Sequence, residues 1–194
     1  MKNEFYIDTK DLPSELQNGL TKVGYTSKSI RVSVESDFEP RPPSADGRRG
    51  FLAAVPLDGS EVKVTWGSWG GSNMFTKTVD DVEGTLPVPN NMAFIRGYGD
   101  AGKGYPAYAT IIVGPDNINK SWLPSGGDVS EREAKILAIF RSLKSAYRKE
   151  YLDLMKAEAS EVDSLVARGF LSRNAVGATA ITTKGRNSAA SNYY

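Results

Sequence analysis

Val162-Asp-Ser-Leu-Val-Ala-Arg-Gly-Phe-Leu-Ser-Arg-Asn174, followed by Ala178-Thr-Ala-Ile-Thr-Thr-Lys-Gly-Arg186, is the stretch that decides the fold of the C-terminal part. Val162, Leu165 and Val166 recur at the spacing of one helical face, and Gly169 supplies a stop. Phe170 and Leu171 then begin an apolar strand, Gly177 sits in a tight turn, and the β-branched run from Ala178 to Arg186 returns as a second strand. The order read from these residues is helix, strand, turn, strand.

Upstream, Ser160-Glu-Val-Asp163 and Ser130-Glu-Arg-Glu133 both have capping-box spacing, so each is expected to start a helix. Between Ser130 and Arg168 there is no Gly or Pro. Ile136, Phe140, Leu143, Tyr147, Tyr151 and Leu154 mark a helical stripe there that fits one long helix or two shorter ones. Pro124-Ser-Gly-Gly127 reads as a linker, which places one domain over 1–124 and a second over 128–187. Residues 188–194 read as a tail with little to bury.

Leu165-Val-Ala-Arg-Gly-Phe-Leu-Ser-Arg173 leading into Ile181-Thr-Thr-Lys-Gly-Arg186 resembles the third helix and wing of the winged-helix family, over the last third of the chain. The resemblance implies duplex DNA binding, with the third helix in the major groove and the wing on backbone phosphate. Carried over, the groove-facing positions are Ser160, Glu161, Asp163, Ser164 and Ala167, with Arg168 behind them. Two carboxylates there oppose phosphate, and no Asn, Gln or Arg is placed early to read base edges. Acids in a first turn are otherwise explained by the helix dipole, worth roughly 0.3–1 kcal/mol. Arg141, Lys144, Arg148 and Lys149 on the preceding helices, with Arg168, Arg173, Lys184 and Arg186, form the set expected to meet phosphate. The resulting expectation is weak, sequence-independent binding to duplex DNA. Its alternative is a winged helix that docks a host or phage protein.

Ahead of the linker the pattern changes to strands. Ile30–Val34, Phe51–Val55, Val62–Trp66, Met92–Ile95 and Tyr108–Val113 are apolar or alternating runs, and Leu57-Asp-Gly-Ser-Glu61 joins the second to the third as a hairpin. One helix precedes them, with Asp11 as its cap, Pro13 in its first turn, Gly24 as its stop and Leu12, Leu16, Leu20 and Val23 on one face. The fold class read from this order is α+β: an N-terminal helix, about five mostly antiparallel strands, then the winged-helix-like domain. Glu39–Gly47, rich in proline, reads as a surface loop.

Three motifs in the first domain bear on chemistry. Gly97-Tyr-Gly-Asp-Ala-Gly-Lys-Gly104 matches glycine-rich phosphate loops in letters, but Tyr105-Pro106 and a strand follow where a helix N-terminus is needed, so it reads as a hairpin loop. Trp66-Gly-Ser-Trp-Gly-Gly-Ser-Asn-Met-Phe75 offers Trp66, Trp69 and Phe75 as an aromatic platform, or else as a lid on the sheet. With Val79-Asp80-Asp81 it is similar to small proteins of unknown function carried by tailed phages. Glu61-Val-Lys63 resembles half of a PD-(D/E)xK nuclease signature, with Asp46, Asp58, Asp80 and Asp81 as candidates for the missing metal-binding acid.

Composition narrows the chemistry. The 194 residues include no cysteine and no histidine, which excludes Cys/His zinc sites and Ser-His or Cys-His catalytic pairs. From Asp128 onward the chain holds 11 Lys and Arg against 8 Asp and Glu, a net of +3, and the remainder comes to −2. No apolar run reaches the 18 or so residues that cross a bilayer, and Met1-Lys-Asn-Glu-Phe-Tyr lacks a signal-peptide core. The expected location is therefore cytoplasmic, in the host cell for a phage-encoded chain. Taken together these readings point to a non-enzymatic regulatory or accessory phage protein acting on DNA or a DNA-processing assembly, without catalytic residues, metal or cofactor. A virion or protein-interaction component is the alternative, and a Mg²⁺-dependent nuclease the third reading.

Overall fold

The computed structural model describes residues 4–43, 49–67, 84–100, 105–122, 129–142 and 159–190. The chain divides into two compact units, Met1–Leu123 and Pro124–Tyr194. The fold is α+β, and the linker Pro124–Gly127 lies outside the described residues.

In the first unit the elements run β1 (Glu4–Asp8), α1 (Ser14–Lys22), β2 (Ser29–Val34), β3 (Asp37–Phe38), β4 (Gly50–Pro56), β5 (Lys63–Trp66), β6 (Leu86–Pro87), β7 (Met92–Asp100) and β8 (Tyr105–Val113). Six strands form one sheet in the order β1-β2-β8-β7-β4-β5. Only β2 and β8 within it pair in parallel. The sheet holds one strand beyond the five read from the sequence: Phe5-Tyr-Ile7 lies in β1, which pairs with β2 from Glu4↔Ser33 to Asp8↔Ser29. The hairpin at Leu57–Glu61 forms as expected, with Gly59 at φ +83° and the Asp58 carboxylate accepting a 2.9 Å bond from the Ser60 amide.

Strand alternation sends Phe5, Ile7, Ile30, Val32, Phe51, Ala53, Ile95 and Ile111 to the face covered by α1. Leu12, Leu16, Leu20 and Val23 meet them, each 4% exposed or less. Burial of a leucine of this kind is worth about 1.5–3 kcal/mol, and it holds α1 in place more firmly than any cap. Asp11 is not that cap: Thr9–Asp11 is a single 3₁₀ turn, and α1 begins only after Pro13. On the opposite face the described residues form a second, smaller core at one end. There β3 and β6 pair in a two-residue ladder, Phe38 stacks on Phe94 with centroids 3.9 Å apart, and Leu52, Val88 and Ile112 complete a small second core.

The second unit contains α2 (Glu131–Ser142), α3 (Ala159–Ala167), β9 (Leu171–Arg173), β10 (Thr179–Ile181) and α4 (Thr183–Ser188). The first capping box forms reciprocally: the Ser130 amide donates to Glu133 Oε2 at 2.8 Å and the Glu133 amide to Ser130 Oγ at 3.2 Å. Ile136, Leu137, Phe140, Val162, Leu165, Phe170 and Leu171 make the core. α3 ends at Gly169, φ +78°, and β9 and β10 pair antiparallel around the turn at Gly177. Leu143, Tyr147, Tyr151 and Leu154 lie outside the described residues.

Three expectations are corrected here. Ser160 lies inside α3 rather than capping it, and Asp163 bonds Arg173 at 2.7 Å instead of closing a box. The run to Arg186 does not continue as a strand. Thr182 Oγ1 accepts the Gly185 amide and donates toward the Gly169 and Phe170 carbonyls, so a capping threonine turns the chain into α4 despite the β-branched sequence. The start of the expected tail is docked: Ala189 is 4% exposed, and the Ala190 amide donates to the Ala134 carbonyl at 2.9 Å.

Candidate functional site

The cations expected to face phosphate divide sharply by what they already hold. Arg168 donates to Glu133 Oε1 at 2.5 Å and lies 5.0 Å from the Phe170 ring. Arg173, on β9, pairs with Asp163 of α3. Lys184 sits on α4, donates to the Arg168 carbonyl at 3.0 Å and lies 4.3 Å from the same Phe170 ring. Arg141, at the end of α2, donates to the Ala190 carbonyl at 2.8 Å. Arg186 is half-buried on α4. Lys144, Arg148 and Lys149 lie outside the described residues.

The acids of the same surface complete the pattern. Glu161 pairs with Arg132 of α2 through two hydrogen bonds, so the carboxylates that argue against DNA serve to tie α3 to α2 and to β9. Hydrogen bonds from Arg168 first, then the Ser130 amide, hold the Glu133 carboxyl below its ordinary range. At the hairpin tip Asn174 Oδ1 accepts the Val176 and Ala178 amides, and Val176 projects into solvent, 86% exposed.

Of the expected aromatic platform, Trp66 is described and Trp69 and Phe75 are not. Trp66 is half-buried on β5, packs 5.2 Å from Phe51 and lies under the Arg49 guanidinium at 5.0 Å, an arrangement that ties it to the sheet core. Glu61 precedes β5 and reaches Lys22 at 3.7 Å, while Lys63 is exposed on the strand. Among the described residues no three acidic side chains gather as a metal site would need. Asp46, Asp80 and Asp81 are outside them, and Asp58 is occupied by its own turn.

The first half of the glycine-rich motif, Gly97 to Asp100, belongs to the sheet. Gly97 and Gly99 lie within β7, where a Cβ would stand 1.8 Å from the Tyr108 carbonyl oxygen or 2.7 Å from the Ala107 Cα. They are glycines because β7 and β8 approach closely, and β8 rather than a helix follows. Residues 101–104 lie outside the described ones.

One concavity among the described residues was not anticipated. It opens on the sheet face away from α1, beside the β3–β6 ladder, with a volume near 540 Å³. Register sets its floor: Tyr6, Arg31, Thr110 and Arg96 lie in one row across β1, β2, β8 and β7, and Tyr98 faces Tyr108 in the next row. Arg31 donates to Thr110 Oγ1 at 3.0 Å and pairs with Glu4 at 3.5 Å. Arg96 bonds Glu39 at 2.7 Å, and its buried Nε–H has no acceptor among the described residues. Ser33 also lines the wall and is buried, and Tyr108 is 62% exposed. The signal available in the sequence was alternation, Arg31-x-Ser33, Arg96-x-Tyr98 and Tyr108-x-Thr110, but which strands adjoin is not a local property.

Among the described residues no helix is long and apolar enough to cross a membrane. No family model matches the chain, and comparison with curated proteins and with solved structures gave no significant match.

Proposed function

We propose that the chain is a non-enzymatic accessory protein of the tailed-phage kind, whose C-terminal unit is a winged-helix-type module that docks another protein rather than gripping duplex DNA. The observation that carries this reading is the state of the cations. Arg141, Arg168, Arg173 and Lys184 each hold an acceptor inside the unit. Gripping phosphate would require those bonds to be given up, and the half-buried Glu133 carboxylate left behind by Arg168 would cost about 1–3 kcal/mol. Such a surface gains little from counterion release. Val176 at the hairpin tip supports the same reading, because a phosphate-contacting wing needs a cation where this one offers an apolar side chain.

A gel-shift titration of the full chain on a mixed-sequence duplex tests the proposal. No retardation is expected at low salt and micromolar protein. Retardation that weakens steeply with salt and disappears in Arg173→Ala/Lys184→Ala/Arg186→Ala would overturn it in favour of sequence-independent DNA binding, since each lost phosphate contact lowers the salt slope by about 0.9.

A further inference from the structure

Helix α1 carries the chain's only Asn-Gly step, Asn18-Gly19, and holds it in a form that disfavours reaction. Asparagine is among the thermolabile residues of proteins, and a following glycine exposes its own amide nitrogen because it has no Cβ. In the reaction Gly19 N loses its proton and attacks Asn18 Cγ. A C–N bond forms, and the side-chain nitrogen leaves as ammonia from a five-membered succinimide. Water then opens the ring at either carbonyl carbon, to aspartate or to isoaspartate, whose main chain runs through Cβ and Cγ. The sequence takes up water and releases ammonia, with no oxidant or reductant.

We propose that Asn18 is a modification site gated by α1: it deamidates when the helix lifts from the sheet, and the isoaspartate then keeps the helix from returning. Three features hold the site closed in the fold. Gly19 is the sixth residue of α1, past the unpaired first turn, so its N–H belongs to the helical ladder. Helical backbone angles at Asn18 turn that nitrogen away from Cγ. Gly19 is also buried, and a Cβ on it would stand 2.8 Å from Val55 Cγ2 and from Ile95 Cδ1. The glycine is therefore set by the packing of α1 against β4 and β7, and the reactive step comes with it. Asn18 itself is exposed, so water meets the side chain once the backbone is released.

Position makes the modification one-way. Leu12 and Leu16 precede Asn18 on the buried stripe and Leu20 and Val23 follow it, each 4% exposed or less. An isoaspartate at 18 inserts a backbone carbon between the two pairs and breaks the helical period that aligns them. The Gly19 carbonyl, which accepts the Val23 amide at 3.3 Å, moves with the second pair. One half of the stripe can then be seated, but not both.

The test incubates the full chain at mildly alkaline pH in native buffer, in subdenaturing urea and in concentrated guanidinium. Mass spectrometry with fragmentation follows the tryptic peptide 11–22, and isoaspartyl methyltransferase separates the two products. Conversion at Asn18 is expected to be at least about tenfold slower in native buffer than in guanidinium, the factor being set by how seldom α1 opens. It should quicken in urea in step with hydrogen exchange of the α1 amides. Val23→Ala, which loosens α1 from outside the reacting peptide, should quicken it in native buffer, and Asn18→Gln should abolish it. The purified isoaspartate form should exchange its α1 amides faster than the parent chain. Equal conversion in native buffer and guanidinium overturns the proposal, as does an intact Asn18 in guanidinium. So does urea that speeds α1 exchange without speeding conversion, or an isoaspartate form whose α1 amides stay as protected as the parent's.

Discussion

The sheet face of the first unit away from α1 and the α3–β9 surface of the second both carry arginines beside carboxylates, and the pairs differ in what they join. In the second unit the pairs join separate elements: Arg132 of α2 to Glu161 of α3, Arg168 after α3 to Glu133 of α2, and Arg173 of β9 to Asp163 of α3. In the first unit Arg31 bonds groups on the adjacent strands β1 and β8, which the backbone ladder already fixes. The contrast follows from core size. Among the described residues the first unit buries a helix and six strands' worth of apolar side chains, and the second a smaller cluster around Phe140, Leu165 and Phe170. A small unit buries a smaller share of its surface and leans on whatever else ties its elements together.

Phe170→Ala should break the comparison most visibly. Phe170 is 2% exposed and carries both Arg168 and Lys184 against its ring. Its truncation is expected to remove about 3–5 kcal/mol, a large share of the stability of a small unit. Calorimetry should show the C-terminal transition collapse while the N-terminal one keeps its midpoint. Equal movement of both transitions would mean that the two units do not fold separately.

Acid should act selectively on the second unit. The Glu133 carboxyl lies below its ordinary value of 4.5 because Arg168 and the Ser130 amide bond its ionised form. A group lowered in this way contributes fully above the ordinary carboxylate pKa, and its contribution fades as the pH falls through the lowered value. The C-terminal melting temperature should therefore fall as the pH drops below the ordinary carboxylate range, and Glu133→Gln should flatten that fall while lowering stability at neutral pH. An unchanged acid limb in the variant would show that the Arg168 pair is incidental.

The smallest effect sharpens the other side. Tyr108→Ala, at an exposed position on β8, should change the N-terminal melting free energy by no more than about 0.5 kcal/mol. A loss several times larger would make Tyr108 a structural residue and place the two surfaces in the same class.

Local signals were legible. The α1 stripe Leu12, Leu16, Leu20 and Val23, the Asp58-Gly59 hairpin, the Ser130–Glu133 capping box and the stop at Gly169 all appear where side-chain period and turn chemistry put them. Thr182 was misread for an equally local reason, since one residue type serves both strand and cap and the choice lay with the Gly169 and Phe170 carbonyls it meets.

The α+β class, most of the strands and the positions of the charged residues can be read along the chain without its folding. Tertiary structure alone decided what those charges do. Arg31 reaches Thr110 across 79 positions of chain and Arg96 reaches Glu39 across 57, through a sheet order in which β2 lies beside β8. Period and propensity act over a few residues, and they say which side chains share a strand face. Which strands become neighbours is settled by how the whole apolar face is buried at once, and the concavity exists only after that choice is made.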